Sequence, residues 1–224
     1  MPRQRKTRTK SSDSLAPRQN RGFSQIRREI AAEAARIIAT EGQPNYHMAK
    51  KKAAERVGVS ERLALPSNLE VQDALLMYQG LYGGSAHADN LDRLRGAAVE
   101  AMRRLEVFSP RLVGPVLDGT AGPHSRVSLH VFCDAPENLV LYFLEAGVSF
   151  VQEQRRIRWH DSGYRTMQVL VVEVDGTTVE LLVFQPVDLR QAPPSPIDGK
   201  PQRRAGLTEV ECLLNPVAEA RHGS

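Results

Sequence analysis

The chain has 224 residues, is 41% apolar and carries a net charge of +4, enough for one domain of ordinary size with appendages. No window holds the ~18 uninterrupted apolar residues of a membrane span, and no apolar stretch follows the basic start to form a secretory signal. Two isolated cysteines, Cys133 and Cys212, argue against a disulfide framework or a structural zinc site, and a cytoplasmic location is the default expectation.

Residues 1–22 hold seven basic groups and one acid, Asp13, a charge of +6, so the remaining 202 residues sum to −2. With almost nothing apolar to bury, this stretch reads as a disordered tail. Its cations suit phosphates through counterion release and suit plain solvation equally well.

A helical module follows over 23–84. Ile26, Ile30, Ala34, Ile37 and Ile38 recur at helical spacing and predict a helix from Ser24 to Thr40, with Ser24 as cap and Gly42 as stop. A second helix is expected over 47–57, closed by Gly58, and a third over 68–81, ended by Gly83-Gly84. The stretch 49–60 looks like the first half of a helix-turn-helix, but Pro66 interrupts the place of a recognition helix. Lys50, Lys51, Lys52 and Arg56 form a basic helical face that suits phosphate contact or solvation. A fourth helix is expected over 88–105, on the spacing of Leu91, Leu94, Ala98 and Met102.

Beyond Phe108 the period changes. An apolar run at 111–117, an alternating strand at 127–132, a helix at 137–146 and strands at 149–159, 166–174 and 178–185 are expected. Asp175-Gly176 is a hairpin signal, and the near-continuous apolar run at 179–184 suits a buried strand. A closing helix over 207–214 takes Thr208 as its cap, with Glu211 three residues on, and 215–224 reads as frayed. The fold class is α+β: a helical N-terminal region, then a mixed sheet over 88–214 with helices on one face.

The stretch 111–132 reads as a strand, a glycine turn and a second strand. Leu112-Val-Gly-Pro-Val-Leu-Asp-Gly-Thr-Ala121 with Ser125-Arg-Val-Ser-Leu-His-Val131 resembles the nucleotidyltransferase superfamily motif. That pattern is a Gly-Ser pair closing a strand, a helical turn, an acid-hydrophobe-acid strand and a third acid on a later central strand. The resemblance covers about 89–185. It implies transfer of a nucleotide from an NTP to a hydroxyl or amine, with divalent cations held by the acids.

Here Gly114 matches the glycine, but Pro115 replaces the serine and removes an amide donor. The paired acids fall on Arg126 and Ser128, or on Ser128 and His130. Glu180 matches the third acid, and Asp118 or Asp134 are the remaining candidates for metal ligands if transfer survives. Mg²⁺ is implied only in that case. Arg126, Ser128 and His130 on one strand face suit a phosphate better than two cations, since Arg offers a planar donor fork. They equally suit a solvated strand face.

Further basic residues are candidates for anion contact. Arg156 and Arg158 share one face of their strand, while Arg155, Ile157 and Trp159 share the other. Arg190, Lys200, Arg203 and Arg204 lie in the long Pro-rich segment 188–205, which is expected to border the functional cleft. No GxxxxGK[ST], HExxH or GxSxG motif occurs, nor a GxGxxG after a strand, so the classes they mark are not supported. The expected function is a divergent, catalytically impaired nucleotidyltransferase-like protein binding a nucleotide or an RNA or DNA phosphate. The alternatives are a nucleic-acid-binding module, or a protein-interaction module working through 24–82.

Overall fold

The computed structural model describes residues 16–43, 45–60, 65–160 and 163–215. The basic residues of 1–15, and residues 216–224 of the frayed end expected over 215–224, lie outside that set. Helix α1 runs Ala16–Glu41, so residues 16–22, expected in the disordered tail, are helical instead. Pro17 sits in the first turn, where its missing N–H costs no hydrogen bond. Helix α2, Tyr46–Val57, is bounded by its two caps. Asn45 Oδ1 accepts from the N–H groups of His47 and Met48, and Gly58 takes the left-handed conformation. Helix α3, Asn68–Tyr82, starts on a capping box in which the Ser67 side chain and the Glu70 carboxylate each satisfy the other's backbone amide.

These three helices form a module with its own core of Ile30, Ala34, Ile37, Ala49, Ala53 and Val71. The alanines of α2 let it lie close against α1.

Helix α4, Gly84–Arg104, begins ahead of the expected residue 88 and carries Leu91, Leu94, Ala98 and Met102 to the sheet. Strand β1 is only Arg111–Val113. The apolar run expected through 117 breaks at Gly114, whose φ of 72° and ψ of −154° are open essentially to glycine alone, and Pro115–Asp118 forms a helical turn, α5. Then come β2 (Val127–Phe132), α6 (Pro136–Glu145), β3 (Val151–Arg158), β4 (Tyr164–Val174), β5 (Thr177–Phe184) and α7 (Leu207–Leu214). Helix α7 is capped by Gly206 without a side-chain bond, which corrects the expected Thr208 cap. Thr208 falls one residue inside the helix.

The sheet order is β1-β2-β5-β4-β3, with β2 parallel to β5 and every other pair antiparallel. Asp175 and Gly176 turn β4 into β5 with φ of 48° and 69°, as a two-residue hairpin requires.

The two faces of this sheet differ. Val127, Leu129 and Val131 with Val179, Leu181 and Val183 pack under α4, α6 and α7. Each fully buried side chain of this kind is worth about 1.5–3 kcal/mol relative to exposure, so this apolar seam holds the domain together. The opposite face carries Ser128, His130, Glu180, Leu182 and Phe184. The chain from 186 to 206 crosses it, tied to β1 by reciprocal backbone bonds of 2.9 Å between Leu112 and Ala205. Beneath lies a smaller cluster of Phe132, Trp159, Met167, Val169, Leu182 and Phe184. Helices therefore cover one face, and the other is left for a site. No helix among the described residues is long and apolar enough to cross a membrane.

Candidate functional site

Parallel pairing of β2 with β5 sets Ser128 directly beside Glu180. Strand alternation turns both away from the helices. Around them opens a cavity of about 540 Å³, walled by Gly114-Pro115 at the end of β1, by 155–158 on the edge strand β3, and by Pro193–Pro196 of the crossing loop. The resemblance brought Gly114, Ser128, His130 and Glu180 together, and all four line this one cavity.

Glu180 is 7% exposed and fully engaged. Ser128 Oγ donates to Oε1 at 2.6 Å, Arg155 Nη1 donates to Oε1 at 2.9 Å, and Arg155 Nη2 donates to Oε2 at 2.7 Å. Burial alone raises the pKa of this carboxyl. The Arg155 fork and the Ser128 hydroxyl outweigh that and hold it below the usual carboxylate range. The same pairing raises Arg155.

Arg155 is the residue that sequence reasoning overlooked. It occupies the strand face of Ile157, which packs on the smaller cluster, and an arginine on a core-side face is a signal for a buried partner. Arg156 and Arg158, the candidates on that strand, border the cavity but belong to the other face. The Arg156 guanidinium lies 4.1 Å from the centre of the Tyr164 ring.

His130 is 2% exposed. Burial first, and the Arg204 cation second, depress its pKa to about 3, so it is neutral near pH 7. Arg204 Nε donates to His130 Nδ1 at 3.0 Å, which leaves the imidazole proton on Nε2. His130 thus lines the cavity as a neutral ring, tilted by 44° against Phe184 with ring centres 4.4 Å apart, and brings no positive charge.

Arg204 also donates from Nη1 to the Asp188 carbonyl at 2.7 Å, and its guanidinium lies 5.0 and 5.2 Å from the Phe132 and Phe184 rings. Burial lowers its pKa to about 10. It clamps the crossing loop to the sheet. Arg126 sits one residue ahead of β2, is exposed and stands outside the cavity wall, although its charge still favours the ionised Glu180. Arg190 is exposed at the end of a 3-10 turn, and Arg203 pairs with Glu209 at 2.6 Å.

A second cavity of about 620 Å³ lies on the other side of Gly114-Pro115. Its walls are the starts of α2 and α3, the turn α5, and residues 195–203 of the crossing loop. Asp118 lines it with Gln72 as hydrogen-bond partner. Burial is the largest influence there and raises the Asp118 carboxyl. Tyr46 stands nearby, pushed up to about 12 by burial and by the Asp118 charge.

The acids therefore do not converge. Glu180 is in one cavity, Asp118 in the other, and Asp134 sits exposed beyond the end of β2. Among the described residues no group of three His, Cys, Asp or Glu could hold a metal ion. A pair of hard divalent cations needs several free carboxylate oxygens, and this donor set does not fit one.

The basic face of α2 is largely spent inside the helical module. Lys50 donates to the Pro66 carbonyl and to Asn68 Oδ1, Lys52 pairs with Glu41, and Arg56 pairs with Glu33 and Glu41.

Comparison of the chain with protein families, with curated proteins and with solved structures finds no match.

Proposed function

We propose that this protein binds a phosphate-bearing ligand, a nucleotide or a nucleic-acid phosphate, in the cavity above Ser128 and Glu180, and that it does so without metal-dependent nucleotide transfer. The observation that carries this reading is the pairing of Arg155 with Glu180. Arg155 and Glu180 balance each other on the cavity wall, and Arg156 and Arg158 border the same cavity from the other face of β3, so the surplus charge at its rim is cationic. A half-buried guanidinium on a cavity wall is a planar donor that a phosphate oxygen can share.

The resemblance to nucleotidyltransferases is in keeping with the order of elements: a short strand closed by Gly114, a helical turn, the strand β2, and Glu180 on a later strand inside the sheet. The chemistry departs from it. Ser128 and His130 stand where acids are needed, and both Glu180 oxygens already accept hydrogen bonds, which leaves a metal-dependent transfer without its ligands.

Calorimetric titration of the four NTPs at low and high salt, with and without Mg²⁺, tests the reading. Binding indifferent to Mg²⁺, weakened by salt and weakened about tenfold or more in Arg155→Gln is the expected result. Binding that requires Mg²⁺ overturns the metal-free part, and no binding of any NTP or of a single-stranded oligonucleotide overturns the whole.

A second reading, a protein partner on 24–82, is favoured by α3, whose Leu76, Met77, Leu81 and Tyr82 stay exposed although apolar. A Met77→Glu variant that folds normally yet loses a partner retained by Arg155→Gln would favour it.

A further inference from the structure

Strand β3 is an open margin of the sheet. Its eight residues pair with β4 on one side, and among the described residues no strand lies on the other. The pairing runs unbroken from Val151 opposite Val171 to Arg158 opposite Tyr164, so no bulge turns the edge away, and no proline interrupts it. Residues 151–154 are exposed on both faces. A regular, uncovered edge of this length is a template for one more strand.

Charge is the remaining device that could keep such an edge apart, and here it is self-complementary. A two-fold axis perpendicular to the sheet joins two copies of the edge antiparallel, continues each face into its counterpart and sets one residue opposite itself. Two centres use nearly the whole strand: Gln154, pairing 151–157, and Arg155, pairing 152–158. The centre on Arg155 opposes the two Arg155 side chains and leaves Glu153 facing Ile157. Centres on Glu153 or Arg156 also oppose like charges, over a shorter seam.

The centre on Gln154 is different. It opposes the two Gln154 amides and sets Glu153 against Arg155, Gln152 against Arg156 and Val151 against Ile157, each contact occurring twice. Every charged residue inside the seam then meets an opposite charge or an amide. Glu153 is exposed and forms no salt bridge within its own chain among the described residues. Arg155 is gripped by Glu180 yet still 38% exposed, so a second carboxylate opposite it adds attraction without displacing the grip.

Apolar surface adjoins the same margin. Phe143 of α6 and Phe150, just ahead of β3, have ring centres 5.9 Å apart, which brings the end of α6 to the start of the strand. Leu144 beside it is 62% exposed and Val151 is 60% exposed.

From this edge we infer that the protein pairs with a second copy of itself through β3, in the register centred on Gln154, so that two five-stranded sheets become one. This goes beyond the phosphate-binding reading and does not depend on it. In a lone copy the margin is free to fray. In the dimer each cavity wall at 155–158 is braced by the other copy.

Sedimentation velocity of the full chain from about 1 to 100 µM, in the wild type and in Glu153→Arg, tests the surface. The wild type should dimerise, and Glu153→Arg, by opposing like charges, should weaken the dimer about tenfold or more. Mild oxidation of Gln154→Cys and Gln152→Cys tests the register. Directly opposed residues of an antiparallel pair have Cα atoms about 4.5–5.5 Å apart, within reach of a disulfide. Gln154→Cys should therefore give a covalent dimer and Gln152→Cys should not, with Cys133 and Cys212 common to both and to the wild-type control. Thermal melting checks that Glu153→Arg folds, and the cysteine pair decides the matter if it does not. A wild type monomeric throughout overturns the inference. So does a dimer unchanged in folded Glu153→Arg, or one in which Gln154→Cys cross-links no better than Gln152→Cys.

Discussion

Arg155 on the outermost strand reaches across β4 and grips Glu180 with both terminal nitrogens, at 2.9 and 2.7 Å. Ser128 Oγ closes the same carboxylate from β2 at 2.6 Å. The acid that the family resemblance marks for a metal is instead the centre of a three-strand polar lock.

Removing one partner of this lock should cost more than removing both. A buried carboxylate left alone carries its full desolvation penalty, though the Arg155 side chain is 38% exposed and solvent moderates the pair. Arg155→Ala should lose about 2 kcal/mol of unfolding free energy, and under about 1 kcal/mol when made in Glu180→Gln. Urea denaturation of the double-mutant cycle measures this. Simple additivity would remove the lock from the account of stability.

His130 makes stability fall on the acid side of neutrality. Its folded pKa of about 3 lies below the ordinary value of 6.5. Its contribution is therefore complete above 6.5 and is lost as pH falls towards 3, while the unfolded chain takes up the proton that the buried ring refuses. Between these limits the slope from this one group is about 1.4 kcal/mol per pH unit. His130→Gln keeps an acceptor for Arg204 and should flatten the decline between pH 6.5 and 4.5, the ordinary Glu value, above which the carboxylates contribute least. Equal slopes in both proteins would count against a neutral buried imidazole.

Gly114→Ala should destabilise through the backbone alone. An added Cβ meets nothing within 4 Å, so no clash is involved. The cost is that of holding alanine at φ 72° and ψ −154°, about 1–3 kcal/mol. Because this residue walls both cavities, ligand affinity should drop along with thermal stability. A loss of neither would mean the turn relaxes freely.

Much of the architecture was legible because it is local. The hairpin at Asp175-Gly176, the bounds of β2 and the caps at Gly58 and Gly83 are written in adjacent residues. What was not legible is contact between distant segments. Arg204 meets His130 across 74 residues, and this contact makes the imidazole an acceptor rather than a phosphate ligand in waiting. Alternation sets Arg155 on the face of Ile157, apart from Arg156 and Arg158, but only the register of β3 on β4 brings it to Glu180. Pro115 reads as the end of a strand or the start of a helix, and the conformation of Gly114 decides between them.

The Arg155 grip comes from a strand with a neighbour on one side only, and its residues 151–154 are exposed. Edge strands open locally well below the free energy of global unfolding. The charge that Glu180 presents to its cavity is therefore governed by the fraying of a margin. Amide exchange along 151–158 would track how often that carboxylate stands bare while the rest of the sheet stays closed.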